Sequence, residues 1–490
     1  MVLPSRRRFL ALAGTMAVGA LAVACGGSPA APTAAPSKPA EAPKPTEAAK
    51  PAAAAEAPKP TEAAKPAAPA AAAPAASGAK VQVRWQNRSN DAAIKAANDY
   101  IAQTFAKEKP NIEITVEPAP DNRDEKLIAA MVGGNAPDVF ESWTDNVTQY
   151  ADRGQVLDVE PYVKRDYKDT DLKDFFEWQW RDFVLPSGIR FGVPKYVNVM
   201  LTWVNKDAFD KAGLKLPDDK SWTHDDYAQI ANKLVKKNGD AVDQWGLYYP
   251  IWSWDRFWYK LEAFGGEIVN PKDVTQAVFD GEKSLAAFEW VRKLLWDDKA
   301  MAQRLLLAPA GQSFNAQALF AAGKFAMVED GFYPFSMADN IQKKVNWTYM
   351  HTPQGPSGKK RVLGTTDGFI QWKNSKVLDQ GWEVMKFLAG PGYQENVLVK
   401  ASGSLPIRYS VLDKWKKICI DKYPELEAAN LDIGKSIMEM GYAGNRVLFK
   451  KDAEARKIMV PALEKVYVAG GTPVTYLKDV AKEVTAKMKE

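Results

Sequence analysis

Cysteine and histidine are nearly missing from this 490-residue chain, which has two of each: Cys25 and Cys419, His224 and His351. So few histidines exclude a multi-histidine metal centre, and no cofactor is expected. If Cys25 is modified, no disulfide can form within one chain. A dominant charge is missing too. The net charge is +5, of which Arg6, Arg7 and Arg8 supply three; residues 25–79, with five Lys and four Glu, supply one more, leaving about +1 for residues 80–490. A near-neutral body carries no electrostatic footprint for nucleic acid. No Gly-x-Ser-x-Gly elbow, His-Glu-x-x-His helix or Gly-x-Gly-x-x-Gly turn occurs, so the common signatures of nucleophilic, zinc and dinucleotide chemistry are absent. Gly355–Lys360 (GPSGKK) lacks the spacing and final Ser or Thr of a phosphate loop and reads as an exposed basic hairpin. The 60 acidic residues make the two carboxylates of a glycosidase available, but no pair is singled out. A secreted glycoside hydrolase is therefore the least favoured reading, and the chain is read as a non-enzyme.

What is present begins with an address. Ser5 to Leu10 reads SRRRFL and resembles a twin-arginine export signal. The apolar stretch Phe9–Ala24 is shorter than the roughly 20 residues of a membrane-spanning helix, so it reads as the core of a signal peptide. It ends LAVACGG, which resembles a lipobox, with Ala22 where Leu, Val or Ile is usual. Residues 1–24 are thus expected to be removed and Cys25 lipidated. Residues 25–79 are Ala, Pro, Lys, Glu and Thr with almost no bulky apolar side chain, and EAPKPTEAAKPAA occurs twice, at Glu41–Ala53 and Glu56–Ala68. Such a segment cannot bury a core. It is expected to be a proline-stiffened tether, with a reach up to roughly 150 Å at about 3.1 Å per residue.

From residue 80 the pattern is that of a folded α/β body. Val81–Trp85 alternates as a strand, Asp91–Lys109 has helical spacing, Ile112–Val116 is a strand, Asp124–Val132 a helix and Asp138–Phe140 a strand. That order predicts a parallel sheet, with a ligand beyond the carboxyl ends of its strands. The pivotal stretch is Gly192–Gly213, GVPKYVNVMLTWVNKDAFDKAG. After a Gly-Val-Pro turn comes an apolar strand, then Asn205-Lys206-Asp207 opening a helix that stops at Gly213. One α/β unit ends there and another begins. Downstream, Thr223 is a candidate N-cap with Asp226 three residues on. Tyr248–Tyr259 is dense in aromatics, and Gly364–Phe369 is expected as a turn entering a strand that runs to Trp372.

Several phrases recur in order: KLIAAMVGGNAPDV, GQVLDVEPYV, the Gly192–Gly213 crossing, Phe-x-x-Gly-Lys-x-Ala-Met at 320–327, WEVMKFL at 382–388 and GSLPIR at 403–408. Together they resemble family 1 extracellular solute-binding proteins, the sugar receptors of ABC importers. The resemblance covers about residues 80–490. It implies a periplasmic-binding-protein-like type II α/β fold: two lobes joined by several crossings, with a ligand cleft between them. Lobe one would comprise 80–194 with 352–403, and lobe two 195–351 with 404–490. It also implies an exported, lipid-anchored, monomeric protein that captures a carbohydrate, favouring an oligosaccharide, and hands it to ABC permease subunits. The alternatives are a lipid-anchored sensor of the same fold, or a receptor for a peptide, polyol phosphate or polyamine.

A sugar site needs flat apolar faces for pyranose C–H surfaces and fixed donors and acceptors for hydroxyls. The candidate platforms at predicted strand ends are Trp143, Tyr196, Trp252, Trp254 and Tyr333. The candidate polar partners are Asn87, Glu141, Asp145, Asp330, Asp367 and Arg408. Most aromatics in such a body belong to its core.

Overall fold

β1 (Val81–Asn87) turns Val83 and Trp85 inward, both fully buried, as period-two alternation requires. α1 (Asp91–Tyr100) follows and continues through wider turns to Glu108. β2 (Ile112–Pro118), α2 (Arg123–Val132), β3 (Val139–Trp143) and α3 (Thr144–Ala151) complete the first unit. β1 pairs in parallel with β2 and β3, matching the strand–helix alternation. The computed structural model describes residues 80–490, apart from 90, 121, 152, 186, 251–253, 303–313, 441–442, 445–446 and 469–470, and apart from the side chains of Thr144, Asp145, Thr148, Asp255, Thr365 and Thr366. The expected signal, lipidated Cys25 and tether lie outside the described residues, as does Trp252.

β4 (Gly192–Asn205) is the pivot, 14 residues long and buried at all but one position. Such a run is near-continuously apolar because both faces are covered. Asn205 caps the next helix, its Oδ1 accepting from the Ala208 N–H at 3.1 Å, and Gly213 takes the left-handed φ of +68° that ends it. α4 (His224–Lys233) opens with the expected capping box between Thr223 and Asp226. β5 (Lys236–Asn238), β6 (Ala241–Tyr248), α5 (Trp258–Phe264), β7 (Phe325–Gly331) and β8 (Trp347–Met350) form the second unit. The chain returns in β9 (Val362–Gln371) and α6 (Leu378–Leu388), which lies over β1, β3 and β9. Its buried stripe, Trp382, Met385 and Leu388, stabilises by about 1.5–3 kcal/mol per side chain.

The strand order is β2-β1-β3-β9-β4-β7-β6-β5, with β8 beside β4 and the short strand Ala443–Gly444 beside β9. β4 and β9 run antiparallel and are long enough to serve both units, so one sheet crosses the whole body. Gly364–Phe369, expected as a turn, is instead inside β9. β4 pairs with the whole of that segment and β3 joins its other edge from Asp367 on, which satisfies its backbone groups as strand. The register slips once. Asp367 pairs with Tyr196 but Gly368 with Pro194, so Lys195 is a bulged residue. The bulge accommodates Pro194, which has no N–H to give the ladder. Leu405 bridges Val197 of β4, which places the segment 403–408 beside the same two strands.

α4 and β6 approach so closely at Gly246 that a Cβ there would lie 1.8 Å from the Ala231 carbonyl oxygen. That neighbour is helix backbone and cannot rotate away. Gly246→Ala is expected to cost about 3 kcal/mol, read from the urea midpoint; a loss under about 1 kcal/mol would show that α4 shifts freely.

Candidate functional site

β3, β9 and β4 set Trp143, Asp367 and Tyr196 abreast, each opposite the next in register. Arg88 stands just past β1, and its guanidinium carbon lies 4.0 Å from the centre of the Trp143 ring, cation–π contact distance. Its Nη1 donates to Asp367 Oδ1 at 2.8 Å, with both side chains almost out of solvent. Burial lowers the affinity of this guanidinium for its proton, but Asp367, Tyr196 and Glu141 more than offset that, so its pKa is raised. Tyr196 lies opposite Asp367 in the ladder. Burial first, then that carboxylate, holds its phenol well above the ordinary range, and Tyr333 adds to the effect.

Tyr196 thus joins a second group. Along β4, Tyr196, Asn198 and Met200 share one face by period two. Asn198 Oδ1 accepts from the Phe332 N–H at 2.9 Å, fixing the exit of β7. Asp330 lies 3.6 Å from Arg256 Nη1, and the same nitrogen approaches Met200 Sδ at 2.6 Å. Burial raises the Asp330 pKa, with Arg256 opposing. Tyr333 is raised by burial and then by Asp330. Its ring folds back over Gly331, where a Cβ would meet its Cζ at 2.3 Å; only glycine admits that approach. The result is a string of neighbouring groups, Trp143, Arg88, Asp367, Tyr196, Tyr333, Asp330 and Arg256, with Tyr196 near enough to feel the Tyr333 phenol.

Behind the string stand two supporting devices. Glu141 is buried and accepts from Lys195 Nζ at 2.6 Å and from the Arg88 backbone N–H at 2.9 Å. The bulge at Lys195 sends its ammonium inward to Glu141 while Tyr196 joins Asp367. Asn87 Oδ1 accepts from the Ser89 N–H at 2.7 Å, an Asx turn that presents Arg88.

Of the sequence candidates, Trp143, Tyr196, Asp330, Tyr333 and Asp367 are brought together, with Asn87 and Glu141 immediately beneath. Arg408 is not with them. It is buried, donates through Nε to the Ala389 carbonyl at 2.7 Å, lies 3.3 Å from Asp174 and stacks over Phe175, a pin between segments. Trp254 is 1% exposed against Phe279 and Phe288 and belongs to the core. The side chain of Asp145, at the start of α3, and Trp252 lie outside the described residues. Arg88, Lys195, Asn198 and Arg256 were not among the candidates. A signal for the first two was there: one follows Asn87 directly at a strand end, and the other is a lysine inside a strand buried on both faces.

No group of His, Cys, Asp and Glu among the described residues could hold a metal ion, and no described helix is long and apolar enough to cross a membrane. What the string can do is bind: it offers aromatic faces and fixed planar donors and acceptors.

A Brucella abortus (strain 2308) protein designated a binding protein is 24% identical over 395 residues, 80% of this chain and 89% of that one. The maltodextrin-binding protein MdxE of Bacillus subtilis (strain 168) is 22% identical over 309 residues, 62% of this chain and 66% of it. Among solved structures, the ABC substrate-binding protein Lmo0181 of Listeria monocytogenes, in complex with cycloalternan, superposes with a TM-score of 0.70 at 23% identity, covering 84% of this chain and 99% of that one. The fold is therefore the type II binding-protein fold that the sequence led us to expect. The family model described as bacterial extracellular solute-binding protein matches residues 87–395, and the chain belongs to that family.

Proposed function

We propose that this protein is the extracytoplasmic receptor of an ABC importer, capturing a carbohydrate and delivering it to membrane permease subunits. The observation that carries the reading is the string from Trp143 to Arg256. It sets three indole or phenol faces beside two arginine–carboxylate pairs, the surfaces that sugar C–H faces and hydroxyls require. Relatives that bind maltodextrin, and a structural neighbour holding cycloalternan, favour an oligosaccharide. In this reading Trp143, Tyr196 and Tyr333 are platforms, while Asp330, Asp367, Arg88 and Arg256 read hydroxyls. The lobes are 80–194 with 352–403 and 195–351 with 404–490, and the ligand favours their closed arrangement by touching both. Lipidated Cys25 and the tether of residues 25–79 hold a monomeric body at the outer face of the membrane, and no reaction is catalysed.

The test is a melting and Trp-fluorescence screen of the full chain against mono- and oligosaccharides. A sugar at 100 times its dissociation constant should add about 2.7 kcal/mol of stability and be recovered unaltered. Conversion of the sugar would make the protein an enzyme. A response to peptides or polyamines with none to any sugar would remove the carbohydrate.

A further inference from the structure

The bulge at Lys195 decides which residues of β4 the site meets. Counted from Pro194 opposite Gly368, an unbulged ladder would set Lys195 against Asp367 and Tyr196 against Thr366. A one-residue slip moves every side chain of a strand to its other face. The extra residue is what brings Tyr196 opposite Asp367, with Asn198 and Met200 on the same face. It also leaves the Lys195 ammonium to Glu141, at 2.6 Å.

A bulge leaves backbone groups without ladder partners, and a buried carbonyl without a donor is costly. Here both carbonyls are taken by side-chain amides. Gln179 Nε2 donates to the Tyr196 carbonyl and Gln394 Nε2 to the Lys195 carbonyl, each at 2.8 Å. Both glutamines are fully buried.

They reach the bulge from different parts of the chain. Gln179 lies in the short helix Glu177–Asp182. This segment presses on β9 from the face away from Asp367: a Cβ at Gly364 would lie 2.4 Å from the Trp178 ring, and one at Gly368 2.0 Å from the Phe183 ring. Gln394 follows α6. Its Nε2 also donates to the Leu388 carbonyl at 3.3 Å, and its Oε1 accepts from the Ile407 N–H at 3.2 Å. Leu388 ends α6. Ile407 belongs to the segment 403–408, whose Leu405 carbonyl accepts from the Val197 N–H at 2.9 Å. One side chain thus ties the bulge to a helix end and to the neighbouring segment.

Stability alone does not account for Gln179. Its Oε1 has no hydrogen-bond partner among the described residues, so the residue keeps a buried acceptor unmet in order to supply one donor. That donor falls on the carbonyl of the residue that stands opposite Asp367.

We propose that Gln179 and Gln394 are positioning residues of the carbohydrate site. Their amides hold the Lys195–Tyr196 bulge in register, so that a phenol and not an ammonium stands beside Asp367. An ammonium there would pair with the carboxylate, and the site would lose a flat face for pyranose C–H groups. This rests on the carbohydrate reading above and deepens it.

Gln179→Met and Gln394→Met, made in the full chain, remove each amide and keep the length of the side chain. The first readout needs no sugar. Lys195 has 6% of its side chain exposed and Lys260 1%, so brief acetylation of the folded protein, read by peptide mass spectrometry, should spare both in the unaltered chain. In each variant Lys195 labelling should rise about tenfold, the size expected for one lost hydrogen bond, while Lys260 stays protected. Equal rises at the two lysines would mean general loosening and would overturn the inference, as would no rise at Lys195. Gln179→Met, the smaller change, carries the test if Gln394→Met does not fold. The second readout is titration with maltotriose, cellotriose and mannotriose at matched folded fraction. Affinity for the tightest of them should fall about tenfold in the variants. Unchanged affinity would overturn the positioning role and leave the carbohydrate reading intact. No binding of any of the three to the unaltered chain would count against the carbohydrate reading, and the lysine labelling would still decide what holds the bulge.

Discussion

Glu329→Ala is expected to lower stability by about 3–5 kcal/mol, because it strands a buried cation. Lys260 Nζ lies 2.9 and 3.0 Å from the two Glu329 oxygens, both side chains are 1% exposed, and the Tyr259 hydroxyl donates to the same carboxylate at 2.8 Å. Around the ammonium stand the rings of Tyr249 at 5.0 Å and Trp290 at 5.4 Å. Burial lowers the Lys260 pKa and Glu329 opposes it; without the carboxylate only the burial remains. The double change Lys260→Met with Glu329→Leu should recover most of the loss, since an apolar pair of similar size often replaces a buried ion pair without penalty. Urea midpoints of the two single variants and the double form the cycle. A single-variant loss below about 1 kcal/mol would mean that water reaches the pair. The clamp also bears on the site. Lys260 stands one turn beyond Arg256, and Glu329 is next to Asp330. A double variant that regains stability but still binds ligand poorly would identify the ion pair as a positioning device and not merely as cement.

Asp367→Ala should strike stability and binding together. Arg88 would keep its place on Trp143 but lose its carboxylate, and Tyr196 would lose its charged neighbour across the ladder. Stability should fall by about 3 kcal/mol. Affinity for whichever sugar the screen identifies should fall about 100-fold, or about 2.7 kcal/mol, because Asp367 sits centrally among the groups of the string. Asp367→Asn keeps an acceptor and removes the charge, so it should lie between wild type and alanine on both measures. Melting curves give the first quantity and titration at matched folded fraction gives the second. Unchanged affinity in the alanine variant would show that the ligand does not sit against β9.

Much of the fold was legible because it rests on local patterns. β1, α1, β2, α2 and β3 follow from period-two and helical spacing, and the caps at Asn205 and Thr223 follow from single residues with a known hydrogen bond to make. The start of β9 reads as a turn in the sequence, since Gly364, Thr365 and Thr366 are poor advertisements for a strand. Their partner, β4, is distant in sequence, so pairing that nothing local announces decides the conformation. The site divides in the same way. Trp143, Tyr196 and Asp367 could be named from strand ends and composition. Arg256 could not, because its approach to Asp330 and Met200 is purely tertiary. Arg408 lies apart from the site for a physical reason: a buried arginine serves a carbonyl and a carboxylate of its own chain as readily as a ligand, and only packing tells which.

The interlaced sheet also has a consequence in time. The contact between Arg88 and Asp367 joins positions 279 residues apart, and β3 finds its outer neighbour only in β9. A ribosome releasing this chain therefore exposes β3 with one bare edge until Gln371, well past the middle of the body, has been made. Non-local pairing of that kind slows folding, and unpaired edges invite association with other chains. Folding is thus expected to be a late, post-synthetic event lasting milliseconds to seconds or longer, which leaves a window for chaperones or export machinery to engage the chain before it closes on itself.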